Sequence, residues 1–191
     1  MERRLKLLIR GANPIRLFAA AALLGAYGFW LFTAQSPWTR AQGAAGPAMP
    51  ELIAGFPGDA IIATLERLGD RRDDYLWAQA FDLALVALII IVAVSAIGLA
   101  LRSLRSLRLA HGDLRYALLA PAFYGVLELG ENALLAGFAS GALAPGPAFI
   151  FVQQSLTTLK LAALLLTGVV SLAACAVWAI AAFASLQRRA A

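Results

Sequence analysis

Among the polar side chains that interrupt the apolar stretches of this chain, seven are grouped by type and spacing. Glu128, Glu131 and Asn132 stand at i, i+3 and i+4; Gln153, Thr157 and Lys160 follow one another at intervals of four and three; Asp82 lies near the start of another apolar block. On a helix each of the first two sets shares one face. Carboxylates so placed can exchange protons, hold a positively charged group or pair with Lys160, while the amides and the hydroxyl supply hydrogen bonds.

An ionisable side chain at the bilayer centre costs at least about 2.5–3.5 kcal/mol, so each of these groups needs a partner or water. The expected arrangement is convergence of Glu131, Asn132, Gln153, Thr157 and Lys160, with Glu128 one turn deeper and Asp82 near the mouth. Lys160 is the expected counter-ion of Glu131. One lysine cannot neutralise two glutamates, so either one carboxyl holds a proton or the neighbourhood of Asp82 is hydrated.

Three function classes follow. The first is a bundle that binds a lipid or small apolar ligand through an acidic pocket in the outer half of the bilayer. The second is a membrane-embedded enzyme using Glu128 or Glu131 as acid or base. The third is an accessory scaffold of a membrane complex. A roomy cavity containing Glu131 would favour the first two, and a tightly packed, paired cluster the third. No residue is assigned as catalytic.

The elements that must position these residues are transmembrane helices. Of 191 residues 61% are apolar and 14% charged, against about 45–50% and about 25% in soluble domains. The apolar residues form blocks near 20 long, the length that a hydrocarbon core of about 30 Å requires. The expected fold is all-α: a single transmembrane domain over 1–191, a four-helix bundle with helices at about 15–34, 79–101, 116–139 and 149–186. The first block follows Arg3, Arg4, Lys6, Arg10 and Arg16. It is read as an uncleaved anchor, because Phe32 stands where a signal cleavage site needs a small residue.

Charge orients the chain. Arg102, Arg105, Arg108 and Arg115 separate the second and third blocks, and Arg188 and Arg189 end the chain. Basic residues accumulate in short cytoplasmic loops, so both termini are expected in the cytoplasm of a multi-pass protein of the inner (plasma) membrane. Residues 35–78, where acids outnumber bases, and the uncharged segment 140–148 fall outside. Counted along a helix from Arg115, Glu128 and Glu131 lie about 20 and 24 Å toward that outer side.

Within the long outer loop, 42–50 is rich in Gly, Ala and Pro and is expected to be irregular. A short amphipathic helix over 59–68 should follow, with Ile61, Ile62, Leu65 and Leu68 on one apolar face and Gly69 as its stop. Asp70, Asp73 and Asp74 favour a new helix N-terminus through the macrodipole. Tyr75 and Trp77 are expected to mark the interface.

The net charge of +5 does not point to nucleic acid, because the basic residues flank apolar blocks rather than forming an aromatic-interleaved stripe. Cys175, the single cysteine, makes no internal disulfide and reads as a buried thiol. His111 reads as a solvated turn residue. No phosphate loop, metalloprotease or serine-hydrolase motif is present, and no cofactor or metal is expected. Ala19, Ala22, Gly25 and Ala26, like Gly137 and Gly141, form small-residue faces suited to close helix packing. The partners expected are the lipid bilayer, a lipid or small apolar ligand, and a second copy or a membrane complex.

One pattern spans residues 68 to 161: Leu68-Gly69-Asp70-Arg71-Arg72 and Tyr75, then Asp82, then Glu128 with Glu131-Asn132, then Thr157 to Lys160. It resembles a family of small bacterial four-helix membrane proteins whose recurring positions are a Tyr, an Asp, an acidic-x-x-Glu-Asn and a Thr-x-x-Lys. The resemblance implies an architecture and a set of polar positions and carries no activity. Glu128 stands where that pattern usually has Asp, which keeps a carboxylate and lengthens its reach.

Overall fold

The computed structural model describes residues 9, 11–33, 35–46, 49–55, 57–106 and 113–190, with the side chains at 113 and 188–190 excepted. Arg3, Arg4, Lys6, Arg10, Arg108 and His111 lie outside the described residues, as do the side chains of Arg188 and Arg189. The described residues are helical without a strand. In order they form α1 (Pro14–Leu31), α2 (Pro37–Ala45), α3 (Gly58–Leu68), α4 (Arg72–Ser106), α5 (Leu119–Ala139) and α6 (Pro147–Ala190), with 3-10 turns at Pro50–Leu52, Gly69–Arg71 and Asp113–Leu118.

Three helical stretches are long and apolar enough to cross a membrane: Pro14–Leu31, Gly58–Ser106 and Pro147–Gln187. The exposed side chains on them are what lipid would solvate, Phe29, Ile91, Leu165, Leu172 and Ile180 among them. α5 is not one of the three. Its 21 residues suffice in length, but Glu128, Glu131 and Asn132 at its middle interrupt the apolar run that the other three possess.

The contacts divide the chain into two compact units. One comprises Met1–Leu23, Leu88–Phe123 and Ala163–Ala191. Its core joins Ala12 and Leu17 to Ala96, Ile97, Ala100, Leu118 and Ala174, where the alanines let helices approach closely. Here Arg102 donates through Nη1 to the carbonyl of Ala12, and Phe18 meets Trp178 edge to face.

The other unit comprises Leu24–Ala87 and Tyr124–Ala162. Much of its core comes from the segment between α1 and α4. Trp38, Ala41, Ala45, Met49, Ile61, Leu65 and Leu68 bury together with Tyr75, Ala78, Leu135 and Phe138. The segment is built by capping. Ser36 Oγ accepts from Thr39 N at 3.2 Å and donates to the Leu31 carbonyl, so one hydroxyl ends α1 and starts α2. Pro37 at the first helical position has no N–H to leave unpaired. Arg67 donates through Nε to the Ala45 carbonyl at 2.9 Å, tying α3 to the free C-terminal end of α2.

Four expectations need correction. Residues 42–45 are helical rather than irregular, because Trp38, Ala41 and Ala45 supply one buried face. Ile62 is 37% exposed while Ile61 is fully buried, since adjacent residues on a helix diverge by about 100°. α4 begins at Arg72 with Asp73 and Asp74 in its first turn, seven residues before the expected start at 79. Tyr75 is therefore inside the fold, 1% exposed, whereas Trp77 is exposed. The small-residue faces also diverge: Ala19, Ala22, Gly25 and Ala26 are all exposed, while a Cβ at Gly137 would lie 2.7 Å from Leu143 Cδ1.

Candidate functional site

α5 presents Glu128, Glu131 and Asn132 to the unit's interior because the three fall within about 100° around the helix. α6 supplies Gln153, Thr157 and Lys160 with the same periodicity, and α4 supplies Asp82. Except for Asp82, which is half-buried, each of these is at most 5% exposed.

Lys160 is the junction. Its Nζ donates to Glu128 Oε1 at 2.8 Å and is ion-paired with Glu131 Oε2. Glu131 Oε1 accepts from the Thr157 hydroxyl and, at 3.5 Å, from Gln153 Nε2, which also reaches Thr157 Oγ1 at 2.8 Å. Asn132 Nδ2 donates to Asp82 Oδ2 at 2.9 Å, fastening α4 to α5. Hydrogen bonds and ion pairs join the seven residues in two groups, Asp82 with Asn132 and Lys160 with Glu128, Glu131, Thr157 and Gln153, and the charge of Asp82 acting on Glu128 and Glu131 makes the two one electrostatic network. Lys160, expected beside Glu131, serves Glu128 as well.

Three further residues extend it. Glu51, in the 3-10 turn before α3, is 3% exposed and accepts from Gln79 Nε2 at 3.0 Å and from Tyr75 Oη at 3.3 Å. The charges of Lys160, Glu131 and Asp82 all act on its carboxyl, and burial is the dominant influence, pushing its pKa from 4.5 up to about 7. A signal for two of these residues stands in the sequence: Tyr75, Gln79 and Asp82 are spaced by four and three, one helical face. Glu51 has no periodic partner, and nothing local ties it to a helix that follows.

The network is rich in acceptors. Among the described residues Lys160 is the one cation in ion-pair contact with Asp82, Glu128, Glu131 or Glu51. The amide oxygens of Gln79 and Gln153 are buried without a donor, which costs about 1–3 kcal/mol each unless something fills them. No group of three or more His, Cys, Asp or Glu among the described residues is disposed to hold a metal ion. Two surface clefts lie apart from the network: one of about 310 Å³ lined by Arg40, Gly43, Ala44 and Arg71, and one of about 380 Å³ lined by Phe151, Gln154, Ser155, Thr158 and Leu159. In the first, Arg40 and Arg71 are already bound by Asp74.

No family model, curated protein or solved structure matches the chain.

Proposed function

We propose that the chain is a multi-pass membrane protein that binds a lipid or small apolar ligand, whose positively charged, donor-bearing head meets the acidic network. The observation that carries this reading is the imbalance of the network. Glu128 and Glu131 share a single ammonium, Asp82 has no cation in contact among the described residues, and the buried amide oxygen of Gln153 has no donor. A purely structural ion cluster is most stable when neutral and fully hydrogen-bonded. An excess of carboxylates and acceptors suits a ligand that brings N–H groups and positive charge.

In this reading α5 is a fourth crossing, both termini are cytoplasmic, residues 35–78 and 140–148 lie outside, and the network belongs to the outer half of a bacterial inner membrane. The partition of basic residues supports the orientation.

Thermal unfolding in detergent micelles tests it, with dodecylamine, dodecanol and dodecanoate as probes. Dodecylamine is expected to raise the Tm, and Glu131→Gln to remove that rise while leaving the unliganded Tm close to wild type. Equal stabilisation by dodecanol would remove the role of the charged head. No shift with any probe would sink ligand binding.

The flat outcome belongs to a second reading, an accessory scaffold in a membrane complex or homo-oligomer. Its support is that the network is interlocked, with neither described cleft lined by it, and that the small-residue face of α1 is exposed. An acid or base role for Glu128 or Glu131 has no comparable support, since Lys160 holds both.

A further inference from the structure

Glu51, like Asp82, is a carboxylate that no cation contacts among the described residues, and of the two it is the buried one. Gln79 Nε2 donates to its Oε1 at 3.0 Å, Tyr75 Oη donates to its Oε2 at 3.3 Å, and the Gln79 amide oxygen is buried without a donor. A proton on Glu51 resolves both ends of the contact. A carboxylic acid and a primary amide pair through two parallel hydrogen bonds, amide N–H to carboxyl oxygen and carboxyl O–H to amide oxygen. The first is present, and the second is the bond that Gln79 lacks.

We propose that Glu51 and Gln79 form a proton-binding site that latches the segment from α2 to α3 onto α4, and that loss of the proton releases the latch. The geometry suits a device of this kind. Glu51 stands on a turn between Gly46 and Gly55, whose positive φ values of 106° and 70° mark backbone bends at either side. Its partners Tyr75 and Gln79 stand on a long helix. Three neighbouring charges set the balance at Glu51: Asp82 on α4 and Glu131 on α5 favour the proton, and Lys160 on α6 opposes it. The backbone N–H of the turn also opposes it, and burial outweighs both.

The direction with pH follows. A group that binds its proton more tightly when latched holds the latch fully below its ordinary pKa of 4.5 and loses it progressively up to about pH 7, with no further change above. The ratio of latched to released forms is expected to fall roughly 300-fold across that window. This inference does not rest on the ligand reading, and its test uses protein without added ligand.

Hydrogen exchange of the backbone amides of residues 37–68, measured by mass spectrometry in lipid nanodiscs and corrected for the intrinsic pH dependence of exchange, gives the readout. Wild type should lose protection in this segment as pH rises from 4.5 to about 7, while α6 stays unchanged. Glu51→Gln should be protected at every pH, because an amide at 51 pairs with the Gln79 amide through the same two bonds. A flat wild-type profile overturns the proposal, and so does a Glu51→Gln profile with the wild-type step, which would place the titrating group elsewhere. Should Glu51→Gln fail to fold, Glu51→Asp takes its place, since its acid is one methylene short of the amide. A midpoint moved by more than about half a pH unit supports the latch, and an unmoved midpoint overturns it. Failure here leaves the dodecylamine result untouched, so the two readings fall separately.

Discussion

Gln79 donates to Glu51 at 3.0 Å across 28 positions of sequence, joining a helical stretch long and apolar enough to cross a membrane to a turn that neither periodicity nor hydropathy attaches to it. Through that bond the loop between α1 and α4 becomes part of the polar network rather than a tether.

Lys160 serves two glutamates, so its removal is expected to be costly. Lys160→Met should lower stability by about 3–5 kcal/mol, read as a fall in Tm in detergent, because two buried carboxylates lose their partner. Adding Glu131→Leu should recover only part of the loss, since Glu128 remains; adding Glu128→Leu as well should recover most of it. A Lys160→Met protein as stable as wild type would mean that the ammonium neutralises neither glutamate.

Ile61 and Ile62 differ in burial, 0% against 37%, and should differ in cost. Ile61→Ala is expected to destabilise by about 2–5 kcal/mol, the range for a buried aliphatic truncation. Ile62→Ala should stay within about 0.5 kcal/mol of wild type, as exposed substitutions do. Limited proteolysis between Gly46 and Gly69 would report the difference; equal cleavage rates would discard the burial of this helix face.

Gly58 leaves no room for a side chain, since a Cβ there would stand 2.7 Å from Ile150 Cγ2. Ile is branched at Cβ, which leaves the Cγ2 methyl little freedom to turn away. Gly58→Ala should cost about 1–3 kcal/mol, and Ile150→Ala in the same chain should relieve much of it. Gly25→Ala, where nothing lies within 4 Å, is the control and should leave Tm unchanged.

The proposed orientation is checked by fusing a reporter active only outside the cytoplasm. It should be silent when joined between residues 102 and 115 and active between 42 and 50. The reverse pattern would invert the assignment.

What could be read from the sequence follows from what kind of signal each feature leaves. Glu131 and Lys160 were visible because charge inside an apolar block is costly and the helical repeat groups such residues by face. Gly69 and the acids at 73 and 74 were visible because they answer the ends of helices. Gln79 and Tyr75 escaped because the start of the helix was placed by hydropathy, and hydropathy marks where a chain becomes apolar, not where its hydrogen bonding begins. Glu51 left no signal at all. Its burial depends on α2 and α3 folding back, a long-range event that Trp38, Ala41 and Ala45 drive through a face made largely of alanine, too weakly apolar to stand out.

The polarity of α5 bears on how the protein is made. With α5 crossing as proposed, Glu128 is synthesised 32 residues before the lysine that pairs with it, a delay of about 2–6 s at ordinary rates of translation. During that interval its carboxylates have no internal cation, so α5 is poorly suited to leave the insertion machinery for lipid alone. It would have to wait there, or enter together with α6 as a helical hairpin whose charges are already matched. On that topology the order of residues along the chain makes the release of α5 into lipid depend on the synthesis of α6.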